Sequence, residues 1–353
     1  MSAEPTKNSL RYYAMLVLAM AFWSGSWPSA KILVGIAPPM TIGFFRFFSA
    51  SVLFLILLLF TEPEPRRIFR RANFKLLFLV GFTGIFGYGV LFLTGMRLTT
   101  AAQGAIIAGF NPATVSLVAH IYHRERLSKM WQYIGFLLAF MGVIFVVGVQ
   151  ALLEFNFDYL VGNLIILGAM FTWGLYSSIG KEAMKTLSPL EVTTGGSIIG
   201  AFLFGMGSIT EEVWSLPALV NPIFWINALY LGACVTFIGF LFYFISIREL
   251  GATRSGGFIN LVPVFGTFFS VLLLNEIIYW TFIVGLCLVV IGIIIINTEQ
   301  WMLVGLCFVA AGIIIMLILI YWTIIIGFSF VIIGCVILFL NFARRQRKTV
   351  VAE

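Results

Sequence analysis

Apolar runs of about 20 residues follow one another along almost the whole chain, and only short polar breaks separate them. A run of about 18 or more apolar residues with few charges is typical of a membrane-spanning helix. The pattern predicts an all-α polytopic membrane protein with twelve spans, at residues 12–30, 41–60, 75–95, 102–122, 131–149, 160–178, 192–209, 225–245, 256–274, 279–297, 301–319 and 323–341.

The composition agrees with this class. Of the 353 residues, 61% are hydrophobic and 10% are charged, whereas a soluble domain has about 25% charged residues. The four cysteines lie inside apolar runs without a CxxC pair, so we interpret them as small core residues and expect neither a metal site nor a cofactor. No small-residue cleavage site follows the first apolar run, so we interpret this run as a retained helix and not as a signal peptide.

The basic residues predict the orientation in the membrane. If the N-terminus is cytoplasmic and the chain crosses twelve times, every Lys and Arg except Lys31, Arg46 and Arg97 falls on the cytoplasmic side. The positive-inside rule favours this arrangement. We therefore expect a multi-pass protein of the cell membrane with both termini in the cytoplasm and a basic cytoplasmic tail at 342–353. Because this topology explains the net charge of +7, the expected surroundings are a lipid bilayer, and no nucleic-acid partner is expected.

The first ten predicted spans form two copies of one unit. Residues 12–149 and 160–297 each hold five spans, and similar residues recur about 150 positions apart: Trp23 and Trp173, Lys31 and Lys181, Pro39 and Pro189, Pro112 and Pro263, Glu125 and Glu276. Because five is odd, the second copy is inverted in the membrane relative to the first. Inverted repeats are a signature of secondary transporters, whose site lies near the midplane between two halves that rock.

Five segments allow a closer comparison: FWSGSWPSAKIL at 22–33, FFRFFSASVLF at 44–54, LTTAAQGAIIAGFNPATVSLVAHIYHRERLSKMWQYIGFLLAFMGVIFV at 98–146, MFTWGLYSSIGKEA at 170–183 and RELGATRSGGFINLVPVFGTFFSVLLLNEIIYWTFIVGLCLVVIGIIII at 248–296. The two halves resemble the paired EamA-type domains of the drug/metabolite transporter superfamily, over about residues 10–298. This resemblance implies a ten-helix permease of a kind that often exports amino acids or other small metabolites. It does not identify the substrate.

Polar residues and helix breakers coincide in the fourth and ninth predicted spans. The polar residues are candidates for substrate binding and the breakers are candidate hinges: Gln103, Asn111 and Asn260 in the first group, and Gly109, Pro112, Gly257 and Pro263 in the second. Proline removes a helical hydrogen bond, and backbone groups freed at membrane depth must line protein or water. The alternative is that each Asn simply bonds a neighbouring helix.

The remaining candidates for substrate binding are aromatic or charged: Trp23, Trp27, Tyr88, Trp173, Tyr176, Tyr243 and Arg46. Aromatic faces suit flat or cationic metabolites, and a charge within a span is a functional candidate because it is costly to bury. The alternatives are packing or interface anchoring for the aromatic residues, and snorkelling to the outer interface for Arg46.

These features favour a secondary transporter that works by alternating access through a central cavity, and the resemblance implies that it exports amino acids or related small metabolites. No span has Asp or Glu near its middle, so we expect transport that is uncoupled, or coupled only through the substrate's own charge. The alternative is a lipid translocator or a non-transporting membrane scaffold, and a homodimer is left open. An enzyme is not expected and no catalytic residue is assigned, because the two His are not joined to a carboxylate cluster at membrane depth.

The last two predicted spans stand outside the repeat. The segments IYWTFIVGLCLVVIGIIII at 278–296 and IYWTIIIGFSFVIIGCVIL at 320–338 match at 10 of 19 positions. Each has two glycines seven residues apart, as does the fifth span with Gly135 and Gly142, and this spacing places both glycines on one helix face. We interpret 301–341 as an added transmembrane hairpin that packs beside the ten-helix core.

Overall fold

The computed structural model describes residues 9–123, 130–145, 157–250 and 258–297. These residues contain no β-strand and form ten helical segments. We number the segments α1 (Ser9–Val34), α2 (Pro39–Thr61), α3 (Arg71–Leu98), α4 (Ala101–Ala108 and Asn111–His123), α5 (Met130–Ile144), α6 (Phe157–Ala183), α7 (Pro189–Thr210), α8 (222–250), α9 (Leu261–Leu274) and α10 (Trp280–Asn297). Short 3₁₀ turns lie before α3, α8 and α9. The predicted hairpin at 301–341 and the tail at 342–353 lie outside the described residues, so the count of twelve spans stays a prediction.

The described helices confirm the all-helical membrane class. Five of them are long and apolar enough to cross a bilayer: Pro39–Thr61, Arg71–Leu98, Phe157–Ala183, Pro189–Thr210 and Pro222–Ser246. Their outer faces expose large apolar side chains such as Phe60, Phe202 and Ile226, which are 85%, 66% and 68% accessible. Apolar surface on this scale marks a face that contacts lipid or another protein.

Equivalent helices of the two halves begin in the same way. Pro39 and Pro189 each occupy the first position of their helix, α2 and α7. Proline is favoured there because the N–H it lacks would have no partner within the helix. In α7 the start is reinforced by a capping box: the Glu191 backbone N–H donates to the Ser188 hydroxyl, and the Ser188 backbone N–H donates to the Glu191 carboxylate.

The helices α2 and α7 pack against each other in opposite directions. Glu211, at the C-terminal end of α7, accepts hydrogen bonds from the backbone N–H groups of Met40 (3.0 Å) and Thr41 (2.8 Å) in the first turn of α2. At the other end, Glu62 after α2 accepts a hydrogen bond from the Ser188 hydroxyl at the start of α7 (2.6 Å). The antiparallel pairing of these equivalent helices agrees with the inverted relation that the odd span number predicts.

Matching π-helical segments interrupt the third helix of each half. They cover Gly81–Gly87 in α3 and Tyr230–Ile238 in α8, so the two lie about 150 residues apart, as the other repeated features do. A π-helical segment shifts the rotation of the residues that follow it and is frequent at functional sites. The apolar pattern alone does not indicate either π-helical segment.

The two candidate hinges of α4 and α9 lie against each other. The break in α4 is a turn at Gly109 and Phe110, and a Cβ added to Gly109 would lie 3.2 Å from the Pro263 ring. Pro112 and Pro263 both lie in the first turn of a helix, and the break in α4 comes directly before the turn that holds Pro112. Proline is tolerated at this place because the first N–H groups of a helix have no partner within it. Gly257 lies outside the described residues.

The glycine-bearing faces of α5 and α10 pack against each other. A Cβ added to Gly142 of α5 would lie 2.6 Å from the Gly285 carbonyl oxygen and 2.7 Å from the Val289 nitrogen of α10. Both contacts are with backbone, which cannot rotate away as a side chain can. Glycine therefore sets the distance between these two helices.

We expect Gly142→Ala to lower the free energy of unfolding by about 1–3 kcal/mol, because the added methyl group would force α5 and α10 apart. Gly168→Ala on α6 is the matched control, since its Cβ would meet only Leu91 at 3.8 Å. That substitution should be neutral or stabilising by about 0.5–1 kcal/mol, as is usual for glycine within a helix. Thermal unfolding in detergent micelles measures both variants, and equal midpoints would contradict the packing.

Candidate functional site

A small cavity lies between the two halves of the helix bundle. Helices α2 and α3 of the first half and α6, α7 and α8 of the second half supply its lining: Arg46, Phe47, Gly84, Ile85, Tyr88, Trp173, Tyr176, Thr193, Ser197, Thr236 and Phe240. The cavity volume is about 20 Å³, which is enough for a water molecule and too small for an organic metabolite.

Arg46 of α2 is the charged group of this cavity. The residue is 6% exposed, so the guanidinium does not snorkel to an interface. Its Nε donates a hydrogen bond to Thr236 Oγ1 of α8 (3.3 Å), and its Cζ lies 4.8 Å from the centre of the Phe47 ring and 6.0 Å from that of Phe92. Within the described residues no carboxylate lies within ion-pair distance of Arg46, and its Nη groups have no acceptor there.

These contacts are similar in size to the cost of burying a charge, but they leave the Nη groups of Arg46 without an acceptor among the described residues. A desolvated cation–π contact contributes about 2 kcal/mol, and a hydrogen bond to a charged group contributes about 1.5–3 kcal/mol. Each charge that is taken out of water costs several kcal/mol even after the protein relaxes. The guanidinium therefore retains a strong attraction for an anionic or acceptor group that enters the cavity.

Hydroxyl groups line the side of the cavity formed by α7 and α8. Thr193 and Thr236 each donate to a carbonyl oxygen of their own helix, at 2.8 Å in both cases. The Ser197 hydroxyl is fully buried and has no hydrogen-bond partner among the described residues. A buried hydroxyl without a partner is costly, so Ser197 also favours a polar ligand at this place.

All six aromatic candidates from the sequence belong to one continuous ring network. The ring of Trp173 lies at its centre, 5.2 Å from Tyr88, 5.1 Å from Tyr176 and 6.0 Å from Phe240, measured between ring centroids. The network continues to the remaining candidates through these ring pairs: Phe240 to Trp23 (5.3 Å), Trp23 to Tyr243 (5.2 Å), Tyr88 to Phe92 (5.7 Å) and Phe92 to Trp27 (4.9 Å). Of the six, Tyr88, Trp173 and Tyr176 reach the cavity.

Trp23 connects α1 to the π-helical segment of α8. Its indole Nε1 donates to the Val235 carbonyl oxygen (3.1 Å), within the segment whose hydrogen-bond pattern is shifted. The opposite segment, in α3, allows another close contact: a Cβ added to Gly84 would overlap the Tyr176 ring. The two π-helical segments therefore shape the cavity, one through a tryptophan and one through a glycine.

The polar candidates of α4 lie apart from the cavity. Gln103 belongs to a buried triad, in which the Thr99 hydroxyl lies 2.8 Å from the Gln103 side-chain oxygen and 2.5 Å from the Asn163 side-chain oxygen, and the Asn163 amide donates to the Gln103 oxygen (2.7 Å). Asn111 is partly buried, its side-chain oxygen has no partner among the described residues, and it does not line the cavity. The side chains of Asn260 and Pro112 are not among those described.

Sequence reasoning missed the hydroxyl groups of Thr193, Ser197 and Thr236. A signal was present, since TTGGS at 193–197 is a polar stretch within an apolar span. The signal is ambiguous because a hydroxyl in a helix commonly bonds the carbonyl four residues earlier. The other missed lining residues are Phe47, Gly84, Ile85 and Phe240, and their types are common in packed apolar spans.

Charged groups close the end of the bundle near the starts of α2 and α4. Glu276, between α9 and α10, accepts hydrogen bonds from the backbone N–H groups of Ala101 (2.7 Å) and Ala102 (2.8 Å) in α4. Lys31 of α1 donates to the carbonyl oxygens of Met96 (3.0 Å) and Thr99 (2.5 Å) at the end of α3. The helix dipole favours anions at N-termini and cations at C-termini, so the negative Glu276 at the start of α4 and the positive Lys31 at the end of α3 are both stabilising.

No group of three or more His, Cys, Asp or Glu residues with metal-binding geometry occurs in the described part of the chain. The cavity combines one cation, several hydroxyls and aromatic faces. This combination suits recognition of a small organic molecule.

Comparisons with known proteins agree with this arrangement. The model of the EamA-like transporter family matches residues 10–148 and 160–298. The transporter YyaM of Bacillus subtilis is 31% identical over 81% of this chain and 93% of its own length. The S-adenosylmethionine/S-adenosylhomocysteine transporter of Chlamydia trachomatis is 26% identical over 74% of this chain and 81% of its own. A crystal structure of another protein superposes with a TM-score of 0.57 at 19% identity, over 82% of this chain and 98% of that one, which supports the fold.

We expect Gln103→Leu to lower the free energy of unfolding by about 1–3 kcal/mol, because Thr99 and Asn163 would lose a buried partner. Its effect on substrate affinity should be small, since Gln103 does not line the cavity. Thr210→Val on α7 is a control, because Thr210 is exposed and bonds only its own helix. A variant that kept its stability and lost substrate binding would instead place Gln103 in the site.

Proposed function

The chain belongs to the EamA-like transporter family, and we propose that it exports amino acids or related small metabolites across the cell membrane. The cavity carries this proposal, because it lies between the two halves and takes lining residues from both. In transporters built from inverted repeats, this is the place where substrate binds and around which the halves rock. The sequence-based topology, with both termini in the cytoplasm, is part of the proposal.

Alternating access is supported by the volume of the cavity and by the contacts at its two ends. The cavity is too small for a metabolite, so the described conformation would have to open for substrate to enter or leave. At one end Glu211 and Glu276 of the second half bind the N-terminal turns of α2 and α4. At the other end Glu62 of the first half binds Ser188 of the second.

A second contact joins the two halves at the end where Glu62 bonds Ser188. Arg67 of the first half donates to the Thr186 carbonyl oxygen and lies 3.7 Å from the Glu191 carboxylate. The structure thus holds the connections at both ends simultaneously, as an occluded intermediate would. We infer that one set of connections breaks in the state open to the outside and the other in the state open to the cytoplasm.

The related transporter of Chlamydia trachomatis widens the range of substrates to test. Its name gives S-adenosylmethionine and S-adenosylhomocysteine, which are themselves amino-acid derivatives with an aromatic base. The ring network around Trp173 fits either such molecules or amino acids with apolar side chains, because aromatic faces accept flat and cationic groups alike. We therefore include both kinds in the transport test.

Counterflow in proteoliposomes tests the proposal. Vesicles preloaded with unlabelled substrate should accumulate labelled L-leucine, L-phenylalanine, L-methionine or S-adenosylmethionine. Trp173→Ala should reduce the rate about tenfold, as truncation of a central aromatic contact commonly does. The control Trp214→Ala, at a side chain that is 80% exposed, should not. Movement of labelled phospholipid without solute would support the lipid translocator, and movement of neither would support the scaffold.

A second measurement tests the coupling. The carboxylates Glu62, Glu191, Glu211 and Glu276 all lie at helix ends and already accept hydrogen bonds, so none is placed to carry a proton through the middle of the bilayer. At zero membrane potential, and with a substrate of fixed charge, the transport rate should not change when a pH difference is imposed. A rate that scales with the pH difference would establish proton coupling.

A further inference from the structure

We propose that Arg46 binds a carboxylate of the transported molecule, so that the substrates are small organic acids, including amino acids, with an apolar or aromatic body. This inference rests on the proposed function and specifies its substrate class. It starts from the one guanidinium of the cavity, which is buried, has no carboxylate partner in the described residues and directs its Nη groups at no acceptor there.

The charges of the residues that line the cavity favour an anionic ligand. Among the residues that line it, Arg46 is the basic residue and none is acidic. A substrate that carried only positive charge would meet uncompensated repulsion at close range in a medium of low dielectric constant. A carboxylate would satisfy Arg46 with paired charge-assisted hydrogen bonds, which the planar guanidinium is shaped to make.

Comparison of the two repeats also supports a role for Arg46 in binding an anion, because the second repeat has no charge at the equivalent position. The position in α7 equivalent to Arg46 is Gly196. A Cβ there would lie 2.8 Å from the Val80 side chain of α3, so that position is filled by helix packing. Its neighbour Ser197 supplies an unpaired hydroxyl. The cavity therefore has a cation on the α2 side and a free hydroxyl on the α7 side.

The remaining lining distinguishes a carboxylate from a phosphate. A phosphate group carries up to two negative charges, whereas the cavity offers one cation. The rest of the lining is largely aromatic, with Tyr88, Trp173, Tyr176 and Phe240 around the hydroxyls. Such a surface suits a single negative charge attached to an apolar body, and the faces of Trp173 and Tyr176 can accept the ammonium group of an amino acid.

Paired ligands that differ only in the carboxylate test the inference. Binding to the purified protein in nanodiscs would be measured by thermal shift and by isothermal titration. The ligands are benzoate, L-phenylalanine, L-leucine and L-methionine, each with its amide. We expect at least one carboxylate to bind and its amide to bind about 30-fold or more weakly, as expected when a buried charge pair loses one partner.

Three variants test whether the preference for a carboxylate depends on Arg46. Arg46→Gln should weaken binding of the carboxylate by about 30-fold or more and remove the preference over the amide. Arg46→Lys should retain part of the affinity for the carboxylate and part of the preference over the amide. Arg97→Gln is the matched control, because Arg97 also lies in a membrane helix but is exposed, and it should bind as the wild type does. The wild-type ligand series decides the question even where a variant fails to fold.

Several results would overturn the inference. They are equal affinity of the wild type for carboxylate and amide, binding of none of the carboxylates, or unchanged preference in a folded Arg46→Gln variant. Counterflow of amides or amines by the wild type would leave the transport function standing while removing the carboxylate requirement. Phospholipid movement without solute transport would remove both.

Discussion

A polar group buried within a bilayer has no water to bind, and the structure depends on how this constraint is met. The first N–H groups of α2 and α4 find their acceptors in Glu211 and Glu276, and the last carbonyls of α3 find a donor in Lys31. Glu211 and Glu276 belong to the second half, whereas the helices they cap belong to the first. The bonds of Glu211 and Glu276 therefore satisfy helix starts and also join the halves, so this end cannot open without leaving backbone N–H groups unpaired.

The π-helical segments meet the same constraint inside the bundle. Each one shifts the hydrogen-bond pattern of its helix, and in α8 the Val235 carbonyl is bonded by the Trp23 indole of the other half. Both segments supply lining residues to the cavity, Gly84 and Ile85 from α3 and Thr236 from α8. Since both halves carry the segment at equivalent positions, it belongs to the repeated unit.

Much of the fold could be predicted from the sequence. The length of each apolar run follows from the thickness of the bilayer, and the 150-residue repeat follows from duplication of a five-helix unit. The aromatic candidates lie in one ring network, and three of them, Tyr88, Trp173 and Tyr176, line the cavity. The polar candidates could not be ranked. Gln103 pairs with Thr99 and Asn163 while Ser197 faces the cavity, and the difference depends on helix rotation. In a span whose lipid and interior faces are both apolar, the hydrophobic period does not reveal that rotation.

A duplicated scaffold gives the transporter two similar ends, but the molecule that it carries has no such symmetry. The charge at Arg46 has no equivalent in the second half, where Gly196 packs against Val80. In the proposed mechanism the site therefore differs from the scaffold around it: the repeat supplies the helices that move, and one departure from the repeat supplies the group that recognises substrate. Arg46 on α2 and Ser197 on α7 both line the cavity, and whichever end opens in the proposed mechanism, the bond between these two helices at the other end remains. A ligand bound to both groups would then keep one orientation throughout its passage, while the connections at either end of the bundle break and re-form.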